Sequence, residues 1–387
     1  MRVLSRVLAG LGLTAALIVP AAASAHSHHR FGFSHRGGDV YVNDNTASSN
    51  TVAAFHRAPD GRLTPLAGSP FATGGAGTGT GLGSQGSLQS AFGGRFLLAV
   101  DAGSNQISVL AVGRNGTPHP VPGGTVASGG VQPVSIAVHG DLVYVANAGG
   151  TSPNYTGFRL GFDGRLRALP GSTVDLPQGS QPGDVLFNAT GTKLAGTRVA
   201  TSLIDSFVVD PFGRLHAAPG SPYAAQGPGP FGSEFRPTNP NELYVSNAHG
   251  GAGNGTVSAF RVRFNGTLSS IGDSPFADDQ TAPCWVEITH DGRFLFTVNT
   301  AQPSISSFAI DGHGSLTLLG STQFRGNPSG LGPVDARLSP DGRTLYVVDS
   351  GTGQVSAFAV HGGRLTELPS SPVALPAGAT PFGIVVS

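Results

Sequence analysis

The sequence predicts an all-β chain: a seven-bladed β-propeller whose ring is closed by its C-terminal strand, which completes blade one. Three observations carry this expectation. Residues 332–365 (GPVDARLSPDGRTLYVVDSGTGQVSAFAVHGGRL) read as three short strands at 334–339, 344–349 and 354–360, separated by turns at 340–343 and 350–353. Asp-Gly and Gly-Gly supply the positive φ of tight hairpins, while Val, Tyr, Leu and Phe suit a half-buried pleated surface. The unit then recurs. Its second-strand end falls at Asp44, Asp101, Asn147, Arg198, Asn247, Asn299 and Asp349, at spacings of 57, 46, 51, 49, 52 and 50 residues. The hairpin glycine before the last strand keeps step at Gly61, Gly116, Gly164, Gly213, Gly266, Gly314 and Gly363. A period near ~50 with several strands per copy is the mark of propeller blades. Finally, the ends are complementary. The first copy, residues 40–71, lacks the strand that precedes the tyrosine strand elsewhere, and the terminal TPFGIVVS (380–387) matches residues 332–339. The last segment is therefore expected to become the innermost strand of blade one, removing two open edges.

Composition agrees. Charged residues are 11% of the 387, and the 59 Gly and 29 Pro fall at the turns the period requires. The register leaves no room for a second core. Beyond the N-terminal leader no stretch has a 3.6-residue apolar period. A formal charge of zero offers no footing for a nucleic-acid or anionic-membrane partner. The single Cys284 allows no intramolecular disulfide and reads as a small buried hydrophobe.

Residues 1–25 read as a secretory signal peptide. Arg2 and Arg6 form the basic start, residues 7–19 the apolar core, and Ala23-Ser24-Ala25 the cleavage site. That core is too short for a permanent span, so the mature chain is expected to be secreted or extracytoplasmic. Residues 26–38 (HSHHRFGFSHRGG) form a His-rich tail, and 39–387 the propeller.

Along the propeller, residues 72–83 (ATGGAGTGTGLG) account for the longest spacing and are expected to be a flexible inter-blade loop, a flap over one channel mouth. The formal G-x-G-x-x-G at 81–86 has no βαβ context and carries no nucleotide reading. Blade four is the most divergent, with Ala195 in place of an aromatic or Leu and Arg198 in place of Asn or Asp. Several blades end in Gly-Ser-Pro-aromatic or a relative (68–71, 220–223, 272–276), read as an outer-edge turn. The Asn/Asp column at the second-strand ends reads as bonding turn backbone, with a calcium ring as the competing reading.

With its L-Y-V-x-N, S-P-D-G-R and D-x-x-G-x-L punctuation, the chain from 40 to 387 resembles the lactonase-type seven-bladed propellers. These include bacterial 6-phosphogluconolactonases, carboxymuconate cyclases and secreted propellers with Y-V-T-N repeats. The resemblance implies a Pro-His at the start of the second blade's inner strand, where this chain has Gln85-Gly86. It implies Gly-Pro-Arg-His where Gly229-Pro230-Phe231-Gly232 stands, and Asn-Glu where Asn247-Ala248 stands. The implied Asp-x-Gly-x-Asp-Arg survives as Asp101-Ala102-Gly103-Ser104-Asn105-Gln106. The groups that would bind an anionic substrate and move protons are thus expected to be lost.

Inner strands line a propeller's channel, so their first residues are the candidate site. The column aligned with Asp335 reads Gly383, Ser87, Ser135, Asp184, Gly232, Trp285 and Asp335. The column aligned with Arg337 reads Val385, Gln89, Ala137, Leu186, Glu234, Glu287 and Arg337. Asp184, Trp285, Asp335 and Arg337 are the expected ligand contacts, suited to a small polar or sugar-like molecule. The bland alternative is that Arg337 pairs with Glu287 or Asp335 inside the ring. Glu234, Glu287 and Arg337 are the catalytic candidates if the chain is an enzyme. No G-x-S-x-G, H-E-x-x-H or C-x-x-C occurs. The expectation is a monomeric propeller binding a small molecule or a cell-surface component, with no bound cofactor in the ring. The alternative is a lactone hydrolase or carboxymuconate-type cycloisomerase using other residues.

Cleavage after Ala25 would leave His26-Ser27-His28 at a free amine. The amine, two backbone nitrogens and the His28 imidazole can form one square plane, a set that Cu(II) favours. N-terminal mass analysis should find a mature chain beginning at His26, and Cu(II) titration should give a visible d–d band that His28→Ala abolishes. A band intact in that variant would remove the site.

Overall fold

Seven antiparallel sheets follow one another in a computed structural model that describes residues 37–327, 330 and 332–387. The leader, the His-rich tail, and His26 and His28 with them lie outside the described residues. No helix occurs among the described residues, and none is long and apolar enough to cross a membrane.

Each blade is a meander whose second strand is its centre. Five of these strands, among them Leu142–Asn147, Glu242–Asn247 and Thr344–Asp349, are buried along their whole length. Both of their faces pack on neighbouring blades, which is why they carry runs of Val, Leu and Tyr rather than an alternation. Ring closure is as expected. Ile384–Val386 pairs antiparallel with Gly38–Asn43, giving blade one the same order as the others. Phe382, Ile384 and Val385 are buried there.

The second strand of one blade touches the hairpin glycine of the next. The tyrosine of one blade donates its hydroxyl to the carbonyl of the hairpin glycine on the next. Tyr41 reaches Gly116 O at 2.7 Å, Tyr144 Gly213 O at 2.8 Å, Tyr244 Gly314 O at 2.9 Å, and Tyr346 Gly61 O at 2.8 Å across the closing seam. In blade four Ala195 cannot donate. Ser206, its cross-strand neighbour, does so instead, to Gly266 O at 2.7 Å.

The Gly-Ser-Pro device is an outer-edge turn, as read. Its serine hydroxyl accepts a third-strand N–H that the interrupted outer strand leaves free: Ala54 to Ser69 (2.9 Å), Ser206 to Ser221 (3.0 Å), Ala259 to Ser274 (2.7 Å) and Ala357 to Ser371 (3.0 Å).

Two expectations need correction. The Asn/Asp column bonds mainly to the next strand, not to turn backbone. Asp101 accepts from Asn50, Thr73 and Ser108, Asn247 donates to Thr256 and Ser258, and Asn299 to Ser304 and Ser306. Asp349 does take turn amides, those of Gly351 and Thr352. These positions are buried, and the groups facing them are hydroxyls and amides of packed strands. The loop over residues 72–83 is also not loose. Gly77 and Gly79 donate to Thr46 O and Asn45 O, and the Asn45 side chain holds Thr78 and Thr80.

Removing residues 380–387 should cost several kcal/mol, because each buried side chain there contributes about 1.5–3 kcal/mol. Thermal unfolding of the truncated chain should show a large drop in Tm; an unchanged Tm would contradict this closure.

Candidate functional site

The inner strands begin at one end of the channel and finish at hairpins such as the 339–342 turn at the other. In five blades a register shift follows the opening proline, between Pro133/Ser135, Pro182/Asp184, Pro230/Ser233, Pro283/Trp285 and Pro333/Asp335. An extra residue there re-aims the next side chain.

The starting end is filled. Phe231 and Trp285 lie 5.2 Å apart between ring centroids, and Trp285 and Phe382 6.3 Å apart. Leu82, Ala248 and Cys284 join the same core. Burial pushes the Cys284 thiol up to about 12, so it stays protonated. Beneath this plug residues 84–86 cross the channel. Trp285 Nε1 donates to Ser84 O (2.9 Å), and Gln85 exchanges two 3.2 Å hydrogen bonds with the Val286 backbone. Gln85 N donates to Gly183 O and Ile136 N to Gly86 O, each at 3.0 Å. Gly232 is required by this approach, because a Cβ there would lie 2.1 Å from Gln85 Oε1.

The carboxylates form a chain around the ring. Each takes an inner-strand amide of the following blade: Ser233 N donates to Asp184 (2.9 Å), Ile288 N to Glu234 (2.6 Å), and Leu338 N to Glu287 (2.8 Å). Asp335 accepts from Gly86 N (3.3 Å) and Ala336 N (2.8 Å). Inner strands are sheet edges with outward-facing N–H groups, and a buried carboxylate satisfies them. Arg337 donates to Glu287 at 3.0 Å, with its side chain 26% exposed, so the pairing expected inside the ring is present.

Below the crossing segment opens a cavity of about 300 Å³, lined by Gln85, Gln89, Asp184, Glu234 and Arg337, with Ala137, Val138, Leu186 and Phe187 as its apolar wall. Asp184, Glu234 and Arg337 therefore meet in one cavity. Glu287 stands behind Arg337, Asp335 is sealed under Gly86, and Trp285 belongs to the plug rather than the lining. Gln85 as crossing residue, and Ser233 and Ser135 as partners of Asp184, were not singled out from sequence. Gln85 carried a signal: it precedes the shortest of the inner strands in blades two to seven, Leu88–Ala91.

Burial pushes Asp184 up to about 7 despite its serine partners, and Asp335 to about 7 despite Arg337. Burial, with Glu287 close by, raises Glu234 well above the carboxylate range. Burial also raises Glu287, opposed by Arg337. Arg337 is raised because Glu287, Asp335, Glu234 and Asp184 together outweigh its burial. No group of three or more His, Cys, Asp or Glu suited to a metal ion occurs among the described residues.

Elsewhere burial lifts Asp44 to about 7 and Asp278 to about 6. Carboxyls that stay protonated in the fold but ionise near their ordinary 3.8 when unfolded bind more protons in the native state. Stability should then fall as pH rises from about 4 to about 7 and level off above. Tm should be higher at pH ~5 than at pH ~8, and Asp335→Asn should make the profile shallower. A Tm that rises steadily across that window would contradict the assignment.

Residues 235–385 match the family model described as lactonase, seven-bladed β-propeller. No curated protein matches the chain in sequence. Among solved structures, a protein of Bacteroides uniformis named provisionally as a 6-phosphogluconolactonase is 21% identical with a TM-score of 0.72, covering 90% of this chain and 99% of its own. The periplasmic gluconolactonase of Pseudomonas aeruginosa is 17% identical with a TM-score of 0.71, over 91% and 99%. A Lactobacillus plantarum protein is 19% identical with a TM-score of 0.72, over 90% and 99%. Residues 235–385 thus carry the sequence signature of the lactonase seven-bladed propellers, and the described chain as a whole shares their fold.

Proposed function

We propose that this lactonase-type propeller binds a small polar, sugar-like ligand in the cavity at the unplugged end of its channel. One observation carries the reading. The channel carboxylates are occupied in bracing neighbouring blades, and the positions where the family resemblance implies charged or proton-moving groups hold Gly86, Phe231, Gly232 and Ala248. Gly86 belongs to the crossing segment, Phe231 and Ala248 belong to the apolar core at the plugged end, and Gly232 abuts Gln85. What remains for a ligand is the exposed edge of Arg337, the Glu234 carboxyl, the Gln89 amide and an apolar wall. Hydroxyls of a compact ligand pair with the first set, and its carbon face lies on the second. The signal peptide expected at residues 1–25 supports capture outside the cytoplasm.

A second reading rests on Glu234. It uses Oε2 for Ile288 N–H, lines the cavity beside Arg337, and has a raised pKa. An ionised carboxyl so placed can take a proton from water attacking a lactone carbonyl while Arg337 stabilises the oxyanion, and return it to the ring oxygen as the acyl C–O bond breaks, leaving the hydroxy acid.

Calorimetry against sugar acids, sugars and their lactones separates the two. Binding without turnover, weakened about tenfold or more by Glu234→Gln or Arg337→Lys, supports capture. Lactone turnover abolished by Glu234→Gln overturns it in favour of hydrolysis. Arg337→Ala is a poorer probe, because it strands Glu287 and should cost about 3–5 kcal/mol of stability.

A further inference from the structure

Three of the most exposed large apolar side chains among the described residues are Phe162, Phe212 and Phe264, at 74%, 72% and 90%. They occupy one element of the repeat. Each sits in the four-residue turn between the third and fourth strands, at 161–164, 210–213 and 263–266, of blades three, four and five. Each turn is closed by the N–H of its glycine donating to the residue three before: Gly164 to Gly161 O, Gly213 to Asp210 O, and Gly266 to Arg263 O. Repeat symmetry puts the three tips on one arc around the ring axis. The equivalent turns of the other blades carry no Phe, Tyr or Trp, with Pro59-Asp60, Arg114-Asn115, Gly312-His313 and a two-residue Gly362-Gly363 turn, so the aromatic arc is confined to three adjacent blades.

The arc lies on the face that bears the open cavity. Phe162 stacks on Phe92 of the neighbouring blade's first hairpin (4.9 Å between centroids, 22°), and first hairpins end the inner strands at the unplugged mouth. Blades three to five also supply Ala137, Leu186 and Phe235 to the cavity wall. Charge on this sector is uneven although the chain as a whole is neutral. Arg159, Arg165, Arg167, Arg214, Arg261 and Arg263 lie in or beside the three turns. Opposing them are Asp141, Asp163 and Asp210, an excess of three positive charges, while Glu242 is neutralised by Arg236 at 2.8 Å.

We propose that this arc docks on a lipid surface bearing anionic headgroups, with Phe162, Phe212 and Phe264 entering the interface and the arginines at headgroup level. The tips are single aromatic rings separated by glycine and polar turn atoms. A protein partner needs a contiguous dry core, which isolated tips do not provide. A fluid interface accepts separate aromatic insertions and is drawn by the cationic excess. The proposal departs from the expectation of no anionic-membrane partner, which rested on total charge, because folding gathers the arginines of three repeats on one sector.

The test is co-sedimentation of the chain with vesicles of phosphatidylcholine alone or mixed with phosphatidylglycerol. Binding should favour the anionic vesicles, weaken with salt, and drop about tenfold or more when Phe162, Phe212 and Phe264 are all replaced by Ser. That variant should keep its Tm, since the three rings are solvent-exposed. Replacing Arg165, Arg214 and Arg263 by Gln should remove the preference for anionic lipid while leaving Tm unchanged. Absence of vesicle binding, or binding that survives the triple Phe variant, overturns the proposal. Self-association lost in the triple Phe variant, without vesicle binding, likewise overturns it and assigns the arc to a second copy.

Discussion

The tyrosine hydroxyl that crosses from one blade to the hairpin carbonyl of the next is the contact on which the ring depends. A blade is a small meander with apolar residues on both faces and cannot hide them alone. Packing on both neighbours hides the apolar area but also buries polar backbone at the hairpin glycine. The phenol answers that need at Gly61, Gly116, Gly213 and Gly314. Burial pushes the Tyr41, Tyr144, Tyr244 and Tyr346 hydroxyls upward, so they remain donors across the physiological range. Blade four shows that another hydroxyl can serve, because Ser206 donates where Ala195 cannot, while blades two and six carry Leu98 and Phe296 at the tyrosine position and offer the next blade apolar contact alone there.

The channel obeys the same rule one strand further in. An inner strand has no partner on its channel side, and its exposed amides need acceptors in a space closed to bulk water at one end. Asp184, Glu234 and Glu287 supply them, each to the blade that follows. Their placement is therefore structural first. Chemistry is left to the edge of Arg337 and the carboxyl of Glu234, which lie where the chain stops short of filling the channel. The plug of Phe231, Trp285 and Phe382 and the crossing residues 84–86 decide which mouth a ligand can use.

Blade number, phase and ring closure were all legible in the sequence, whereas the two-residue outermost strands of the blades were not. Hairpin chemistry and apolar runs are local properties, and seven repetitions of one local solution leave a single global arrangement. The Gly-Ser-Pro turn and the Arg337–Glu287 pair were legible for the same reason, as fixed positions of a repeat. Residues that break the repeat were not. Residues 72–83 looked loose because glycine-rich composition cannot reveal that Asn45 anchors them. Gly86 looked like a lost histidine, and its neighbour Gln85 proved to be the cross-piece of the channel. Trp285 looked like a ligand platform and is covered by Ser84, Phe231 and Phe382. These outcomes turn on contacts between residues from about 30 to about 200 positions apart, from Asn45 with Thr78 to Gln85 with Val286. No local pattern encodes such a meeting; it exists only once the ring has closed and brought blades two, six and seven around one axis.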